Sequence, residues 1–402
     1  MPARIILGVG AGIAAYKVCE LLRRLTEAGH QVRVVPTRDA LQFVGAATWA
    51  ALSGQPVTSS QWDDVHEVPH VRLGQDADLV FVAPATADLL SKAATGRADD
   101  LLTATLLTAR CPVVFAPAMH TEMWEHPATQ ANVATLRARG CVVLAPASGR
   151  LTGRDTGPGR LPEPEELYHT ATRVLARGSA GLAADLLGRR VVVSAGGTRE
   201  EIDPVRFLGN WSSGRQGYAL ARTAAARGAQ VTLVSANTGL ADPAGADVER
   251  VVSARQLRSA VLAAAAGADA VVMAAAVADF RPETRSDQKV KKAGGAPEPL
   301  RLVENPDVLR ELAGTRRPGQ VLVGFAAETE HVLEHGRAKL AAKGCDLLVV
   351  NQVGGGLAFG TSDNEAVVLA ADGTQTPVPR GPKEALADVV WDLVAARLAV
   401  PG

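Results

Sequence analysis

Five of the eight lysines, Lys289, Lys291, Lys292, Lys339 and Lys343, fall in one part of the second half of the chain. The other 34 basic residues are arginines, so arginine is the default cation here. A compact ammonium binds phosphate as a point charge, which is one reason to depart from that default. A solvated basic face is the other reading of the same residues, and spacing alone does not separate the two. Lys339 and Lys343 are four apart, so on a helix they share one face and can point into one phosphate channel. Upstream, Asn210-Trp211-Ser212-Ser213-Gly214 precedes a helical pattern. A polar loop there offers an N-cap and several donors to an anion, although a capped loop without a ligand looks the same. In the first half, His70 and His120 are of the type that moves protons near neutral pH. A lone histidine is nonetheless more often structural.

These residues need elements to position them, and two segments read alike. Arg4–Lys17 runs Arg-Ile-Ile-Leu-Gly-Val-Gly-Ala-Gly-Ile-Ala-Ala-Tyr-Lys, and Arg190–Glu200 runs Arg-Val-Val-Val-Ser-Ala-Gly-Gly-Thr-Arg-Glu. Each reads as a short apolar run, a small-residue loop and a longer stretch of helical character. A buried parallel strand delivers such a loop so that its backbone N–H groups cradle a phosphate. Two of them point to two phosphate-handling domains. The first runs Gly8-x-Gly10-x-Gly12, with Ile13 where G-x-G-x-x-G has its last glycine. The second strand ends at Thr37 rather than at the Asp or Glu that holds a ribose 2′-hydroxyl. Both facts oppose NAD and suit a mononucleotide such as FMN, its phosphate held by loop N–H groups and hydroxyls such as Thr37.

Apolar runs at Ile5–Gly8, Gln31–Val35, Leu79–Ala83, Val113–Ala116 and Val142–Ala145 alternate with helical patterns at Ala14–Ala28, Ala128–Arg139 and Glu163–Arg177. Gly149–Arg160 reads as a long loop and a candidate lid. After a junction near Ala183–Arg189, a second series begins with strands at Val191–Ser194, Val231–Val234, Ala270–Ala274, Val321–Phe325 and Leu347–Val350. Helices at Tyr218–Arg227, Ala254–Ala265, Asp307–Ala313 and Thr329–Lys343 separate them, and Glu365–Ala370 and a helix from Lys383 close the chain. Such alternation implies α/β domains with parallel sheets, and 402 residues is long for one core. The formal net charge of zero argues against nonspecific binding to nucleic acid or membrane. Four scattered cysteines, Cys19, Cys111, Cys141 and Cys345, fit a reduced cytosolic protein. No stretch reads as a signal peptide or a membrane span.

Gly12–Lys17, Pro69-His70-Val71-x-Leu73-Gly74, Ala83–Asp88, Asp99-Asp100-Leu101 and Pro117–Trp124 together resemble one half of a known family. It is the bifunctional coenzyme A biosynthesis family, in which phosphopantothenoylcysteine decarboxylase is fused to phosphopantothenate–cysteine ligase. Ser194–Glu200, Ile202–Phe207, Asn210–Gly217, Ala274–Phe280, Lys289–Lys292, Asn305–Val308 and Gly324–Thr329 resemble the ligase half, in the family's order. The resemblance implies two Rossmann-like domains. These are a flavodoxin-like FMN decarboxylase domain over 1–188 and a CTP-binding ligase domain over 189–402. It implies that CTP activates the carboxylate of 4′-phosphopantothenate as an acyl-cytidylate, which the cysteine amine then attacks. FMN-dependent decarboxylation of 4′-phosphopantothenoylcysteine to 4′-phosphopantetheine follows.

The resemblance assigns thiol-proton abstraction to His70. It places Gly10, Gly12, Thr37, Pro84, Ala85, Thr86, Ala118 and Met119 around FMN. In the ligase half, Asn210 corresponds to the residue that holds the acyl-cytidylate, and Lys289, Lys339 and Lys343 to those on the phosphates. Met273, Ala274, Ala275, Asp279, Asn305, Pro306, Asp307, Val308 and Phe325 correspond to the nucleotide pocket. Mg2+ is implied by the triphosphate, and its ligands cannot be read from spacing. The family also implies a cytoplasmic enzyme of small-molecule substrates. It implies a homo-oligomer in which trimers and dimers combine into a homododecamer.

Two positions depart from the family. His120 stands where Pro-x-Met-Asn has an asparagine that binds the substrate carboxylate, and Gly153 where the lid has a proton-donating cysteine. A protonated His120 would stabilise the anionic ground state and oppose decarboxylation, whereas a neutral one still donates a hydrogen bond. Gly153 donates no side-chain proton. An active ligase joined to an impaired flavin domain is therefore the first rival reading. An NAD-dependent dehydrogenase is the second, opposed by Ile13 and Thr37.

Overall fold

The computed structural model describes residues 2–57, 69–151, 155–178, 181, 183–291, 299–328, 331–352 and 363–399. The chain divides into two compact units. One comprises Met1–Ala184 with Asp242–Gly245, and the other Asp185–Ala241 with Ala246–Gly402.

The first unit opens with β1 (Arg4–Val9), α1 (Ala15–Glu27), β2 (Gln31–Pro36), α2 (Ala46–Ser53) and α3 (Pro69–Asp76). It continues through β3 (Leu79–Ala85), α4 (Ala87–Thr95), α5 (Leu101–Thr108), β4 (Val113–Pro117), α6 (Thr121–Glu125) and α7 (Pro127–Ala138). It ends with β5 (Val142–Val143), β6 (Ala147–Arg150), β7 (Thr156–Arg160) and α8 (Pro164–Arg177). The first five strands form one parallel sheet in the order β2-β1-β3-β4-β5. Strands buried on both faces need apolar residues throughout, and every residue of β3 is buried. Ala15, Val18, Leu21, Leu22 and Leu25 put one stripe of α1 into the core at helical spacing. Asp100 and Thr103 close a capping box that starts α5.

Gly149–Arg160 is not the loop expected from the sequence. Its described part belongs to an antiparallel hairpin of β6 and β7. The backbone ladder that makes the hairpin leaves no apolar alternation to read, because its strands, Ala-Ser-Gly-Arg and Thr-Gly-Pro-Gly-Arg, carry almost no large apolar side chains. Gly153 lies outside the described residues.

The second unit begins with β8 (Arg190–Gly196), β9 (Arg199–Glu201), β10 (Phe207–Gly209), α9 (Arg215–Ala226), β11 (Gln230–Ala236) and β12 (Ala246–Val251). It continues with α10 (Ala254–Ala265), β13 (Ala270–Met273), β14 (Phe280–Pro282), β15 (Leu302–Glu304), α11 (Val308–Thr315) and β16 (Val321–Glu328). α12 (Val332–Lys343), β17 (Leu347–Gln352), β18 (Asp363–Ala370), β19 (Gln375–Pro382) and α13 (Lys383–Leu398) complete it. Its main sheet runs β12-β11-β8-β13-β16-β17-β18-β19, parallel except where β18 and β19 add an antiparallel edge. Alternate residues of β8 feed opposite faces, Val191, Val193 and Ala195 into one core and Val192 into the other. α9 and α13 cover the first face, tied by a hydrogen bond from Trp391 Nε1 to the Leu220 carbonyl at 2.9 Å. Arg227, buried in the same layer, donates to Asp185 and to the Asp388 carbonyl.

β8 does not lead through its glycines into a helix, as the sequence suggested. The chain turns into the β9–β10 hairpin, and the helix begins only at Arg215. Among the described residues, no helix is long and apolar enough to cross a membrane.

Candidate functional site

In the first unit the sheet order reverses beside β1, whose neighbours are β2 on one side and β3 on the other. Such a switch point opens a crevice at the carboxyl ends of the strands, where ligands of α/β sheets bind. Gly10 sits in it. Its N–H donates to the Pro84 carbonyl at 3.1 Å, and a Cβ there would lie 2.4 Å from that oxygen. Glycine is required at this position by close approach, whereas Gly12 meets nothing nearer than Pro84 Cγ at 4.0 Å. The N–H groups of Ala11, Gly12, Ile13 and Ala14 have no acceptor among the described residues. This row of open amides is what a phosphate cradle consists of.

Thr37, Thr86, Ala118 and Met119 follow the carboxyl ends of β2, β3 and β4. The Thr37 N–H donates to the Val9 carbonyl at 2.9 Å, and its Oγ1 accepts from the Ala40 N–H. Thr86 caps α4 by accepting from the Leu89 N–H at 3.2 Å. The Ala118 N–H donates to the Ala85 carbonyl at 3.1 Å, and the Met119 N–H to the Gly159 carbonyl at 3.0 Å. His120 is exposed at the N-cap of α6. The adjacent Thr121 hydroxyl is buried without a partner. His70 stands on α3, where its carbonyl accepts from Thr108 Oγ1 at 2.6 Å. Its Nδ1 is buried and unpartnered. A buried polar atom without a partner costs stability, and a ligand that supplies one removes that cost.

In the second unit the order reverses at β8, between β11 and β13. Gly196, which ends β8, and Gly197, which follows it, serve packing. The Gly197 N–H donates to the Ala236 carbonyl at 3.2 Å and the Thr198 N–H to the Ala276 carbonyl at 3.2 Å, so these amides are already spent. Gly196 has φ +84°, and a Cβ on it would lie 1.9 Å from the Ala236 oxygen. A Cβ on Gly197 would lie 2.7 Å from the Asn210 carbonyl, so this glycine lets the Asn210 loop come close.

That loop forms one wall of a pocket of about 600 Å3. Asn210, Ala274, Ala275, Asp279, Phe325, Lys339 and Lys343, expected from the sequence, all line it. Asn210 donates from Nδ2 to the Val277 carbonyl at 3.0 Å. Lys343 pairs with Asp307 at 2.5 Å, and Asp307 also caps α11. Asn305 donates from Nδ2 to the Ala278 carbonyl at 2.8 Å, and its N–H to the Asp279 carbonyl. It therefore braces the loop that carries Asp279. Val308 is buried at the start of α11, behind Pro306. Met273, buried, accepts from Ser194 Oγ, which in turn accepts from the Ala275 N–H.

Lys289 is exposed and does not line this pocket, although the sequence groups it with Lys339 and Lys343. The next residue, Val290, donates to Asp203 Oδ2 at 3.2 Å. Burial alone would raise the Asp203 pKa, but three backbone N–H donors and Arg206 outweigh it and hold the carboxyl below its usual range. Lys292 and Thr329 lie outside the described residues.

The N-cap expected from Asn-x-Ser-Ser-Gly is not formed. Gly214 occupies that position at φ +74°, and no side chain caps α9. Ser212 Oγ accepts instead from the Gly214 N–H at 3.3 Å. The Arg215, Gln216 and Gly217 amides thus have no acceptor among the described residues. Four pocket residues went unnoticed in the sequence: Arg215, Asn351, Asn364 and Lys383. Lys383 stands 40 residues beyond Lys343, and only its place at the start of the last helical pattern marked it. Among the described residues, no group of three or more His, Cys, Asp or Glu side chains could hold a metal ion.

Two family models match the chain. One is described as Flavoprotein and covers residues 1–176. The other is described as DNA/pantothenate metabolism flavoprotein C-terminal domain and covers residues 186–398. The chain is 59% identical to the coenzyme A biosynthesis bifunctional protein CoaBC of Mycobacterium tuberculosis (strain ATCC 25618 / H37Rv), over 99% of this chain and 98% of the relative. It is also 59% identical to the protein of that name from Mycolicibacterium smegmatis, with 98% of each covered. A crystal structure of the C-terminal domain of a CoaBC protein is 33% identical, with TM-score 0.47, and covers 54% of this chain and 98% of that chain.

Proposed function

Because the chain belongs to the family of coenzyme A biosynthesis bifunctional proteins, CoaBC, we propose roles for its residues in the two activities of that family. The protein is a CTP-dependent phosphopantothenate–cysteine ligase and an FMN-dependent phosphopantothenoylcysteine decarboxylase. The observation that carries the residue assignment is the joint lining of one pocket by Asn210, Asp279, Phe325, Lys339 and Lys343.

Residues 189–402 carry the ligase on this reading. The 4′-phosphopantothenate carboxylate attacks the α-phosphorus of CTP, a P–O bond breaks, and pyrophosphate leaves. Cysteine's amine then displaces CMP from the acyl carbon. Negative charge builds on phosphate oxygens in the first step, so fixed cations on the pocket wall are required. Lys339 and Lys343 present theirs from one face of α12. The Asn210 amide, oriented by the Val277 carbonyl, holds the acyl-cytidylate. Phe325 offers a ring face to the base, and Asp279 an acceptor to the ribose hydroxyls. Ala274 and Ala275 line the pocket, while Met273, Asn305, Pro306, Asp307 and Val308 do not line it and belong to the segments that carry or brace its wall. Lys289 serves the phosphates from the exposed segment that follows the pocket strands. Magnesium fits as an ion carried in by the triphosphate. Asp279 is the pocket-lining carboxylate that can meet it, and magnesium commonly keeps waters and phosphate oxygens as its other ligands.

Residues 1–188 carry the decarboxylase. The open amides of Ala11–Ala14, the close approach at Gly10 and the unpartnered His70 Nδ1 fit a bound flavin mononucleotide and its substrate. When bound, FMN supplies two-electron redox chemistry at the substrate thiol. The chain holds its phosphate on the Gly10–Gly12 loop and Thr37, and its ring along Pro84, Ala85, Thr86, Ala118 and Met119. His70 takes the thiol proton. His120, exposed beside Met119, donates a hydrogen bond to the substrate carboxylate in its neutral form.

The protein works in the cytoplasm on small molecules and assembles as a homo-oligomer, with a homododecamer as the family arrangement. Exposed Phe207, Phe280 and Leu302 on the β9–β10 and β14–β15 hairpins support association. The reading is tested by supplying CTP, cysteine and 4′-phosphopantothenate and following CMP, CO2 and the product thiol. The expected outcome is CTP-dependent CMP release followed by CO2. CMP without CO2 would favour the rival in which the flavin domain is impaired, to which His120 draws attention.

A further inference from the structure

Lys383 is the first residue of α13 and is only 6% exposed, yet it lines the ligase pocket. Its ammonium has three donors. One goes to the Asp363 carbonyl at 3.2 Å. A lysine is rarely buried so far without a partner for its charge. The neighbouring Glu384 is engaged with Arg222 at 2.7 Å. Arg215 lies on the same wall, exposed and without a side-chain hydrogen bond or ion pair among the described residues. Burial first, and the Arg215 charge second, lower the Lys383 pKa, and the charges of Glu384 and Asp363 only partly oppose them.

The framework between them is neutral. Gln216 donates to the Lys383 carbonyl at 3.1 Å and accepts from Asn364 Nδ2 at 3.0 Å. Asn364 Oδ1 accepts from Asn351 Nδ2. Amides thus fasten the open first turn of α9 to the start of α13. Asn351, 9% exposed on the same pocket wall, leaves its Oδ1 buried and unpartnered. This orphan oxygen is an independent sign that the wall awaits a ligand, one with donors as well as anionic groups. Two cations, three uncapped amides and the positive end of a 12-residue helix converge on one end of the pocket.

We propose that Lys383 and Arg215, together with the first turn of α9, form a seat for phosphoryl groups in the ligase pocket. The inference rests on reading that pocket as the ligase site and adds two residues to it. Lys383 is the fixed, buried charge, and Arg215 is the mobile one that closes on the bound anion. The same chemistry fits the β- and γ-phosphates of CTP, which leave as pyrophosphate, and the phosphate monoester of 4′-phosphopantothenate.

The test is calorimetric titration of the full-length protein and its Lys383→Met and Arg215→Ala variants. Paired ligands separate the two sources, CTP and inorganic pyrophosphate against CMP, and 4′-phosphopantothenate against pantothenate. Loss of a charge-assisted contact is expected to weaken the phosphate-bearing member of one pair about tenfold or more, leaving its phosphate-poor counterpart within about twofold. The pair affected identifies the source. Arg215 is exposed, so its variant keeps the test open if the Lys383 variant does not fold. Equal weakening of both members of each pair, or no weakening in either variant, would overturn the seat. Failure of the wild type to bind CTP and pyrophosphate at all would instead overturn the reading of the pocket, and the seat with it.

Discussion

The two glycine segments look alike in sequence and do different work. After β1, Gly10 lets the loop approach the Pro84 carbonyl, and the amides of Ala11–Ala14 stay open. After β8, the glycine-loop amides of Gly197 and Thr198 are consumed by the Ala236 and Ala276 carbonyls. The open amides of the second unit sit instead at the start of α9, beyond a hairpin. A small-residue loop after a strand marks close packing in both units, but it marks an anion site only where its N–H groups have nowhere else to go. The second unit also gathers cations on its pocket wall, whereas the first presents open backbone amides and a buried, unpartnered histidine nitrogen.

The largest effect that could break this contrast is on proton transfer. His70→Asn is expected to slow decarboxylation by about 10²–10⁴-fold while flavin absorbance and CMP release persist. A wild-type rate of CO2 release would remove His70 from the chemistry. Next in size is Gly196→Ala. Its positive φ and the nearby Ala236 oxygen should cost about 3 kcal/mol or more, lowering the melting temperature of the second unit while flavin is retained. A variant as stable as wild type would mean the loop is not packed as described.

Lys343→Ala should raise the KM for CTP about tenfold with a smaller change in kcat, because the cation lines the pocket and its Asp307 partner remains in place. An unchanged KM would confine Lys343 to holding α11 and α12 together. The smallest contrast concerns thiols. Burial pushes the Cys345 pKa up to about 11, and burial also raises those of Cys19, Cys111 and Cys141. At pH 8 only about one Cys345 in a thousand is thiolate, and its alkylation should accelerate about tenfold per pH unit until near pH 11. Peptide mapping after iodoacetamide treatment measures this. Labelling of Cys345 as fast as Cys19 would contradict its burial.

Most strands were legible because parallel strands covered on both faces must be apolar throughout, as in Leu79–Ala85. The β6–β7 hairpin was not legible, since its ladder is made by backbone groups of small, polar and proline residues with no run of apolar side chains. Lys339 and Lys343 were found by helical spacing, and both line the pocket. Lys289 stands 50 residues before Lys339 and outside the pocket lining, because membership of a lysine-rich part of the chain says nothing about where an exposed segment runs. Lys383 was missed because no motif surrounds it in the sequence. It stands 40 residues beyond Lys343 and reaches the pocket only through the packing of α13 on α9. The Ser212–Gly214 turn read as an N-cap because its residue types suit one. Gly214 takes the capping position without a side chain, so the helix end stays free.

The most direct measurement is a time course of the full-length protein with 4′-phosphopantothenate, cysteine and CTP, following acyl-cytidylate, CMP and CO2 by mass spectrometry. Two chemistries in two units predict that CMP release precedes CO2 release. They also predict that Asn210→Asp disturbs handling of the acyl-cytidylate while added 4′-phosphopantothenoylcysteine is still decarboxylated. Normal handling of the intermediate by that variant, or CO2 release lost together with the ligation step, would contradict the account.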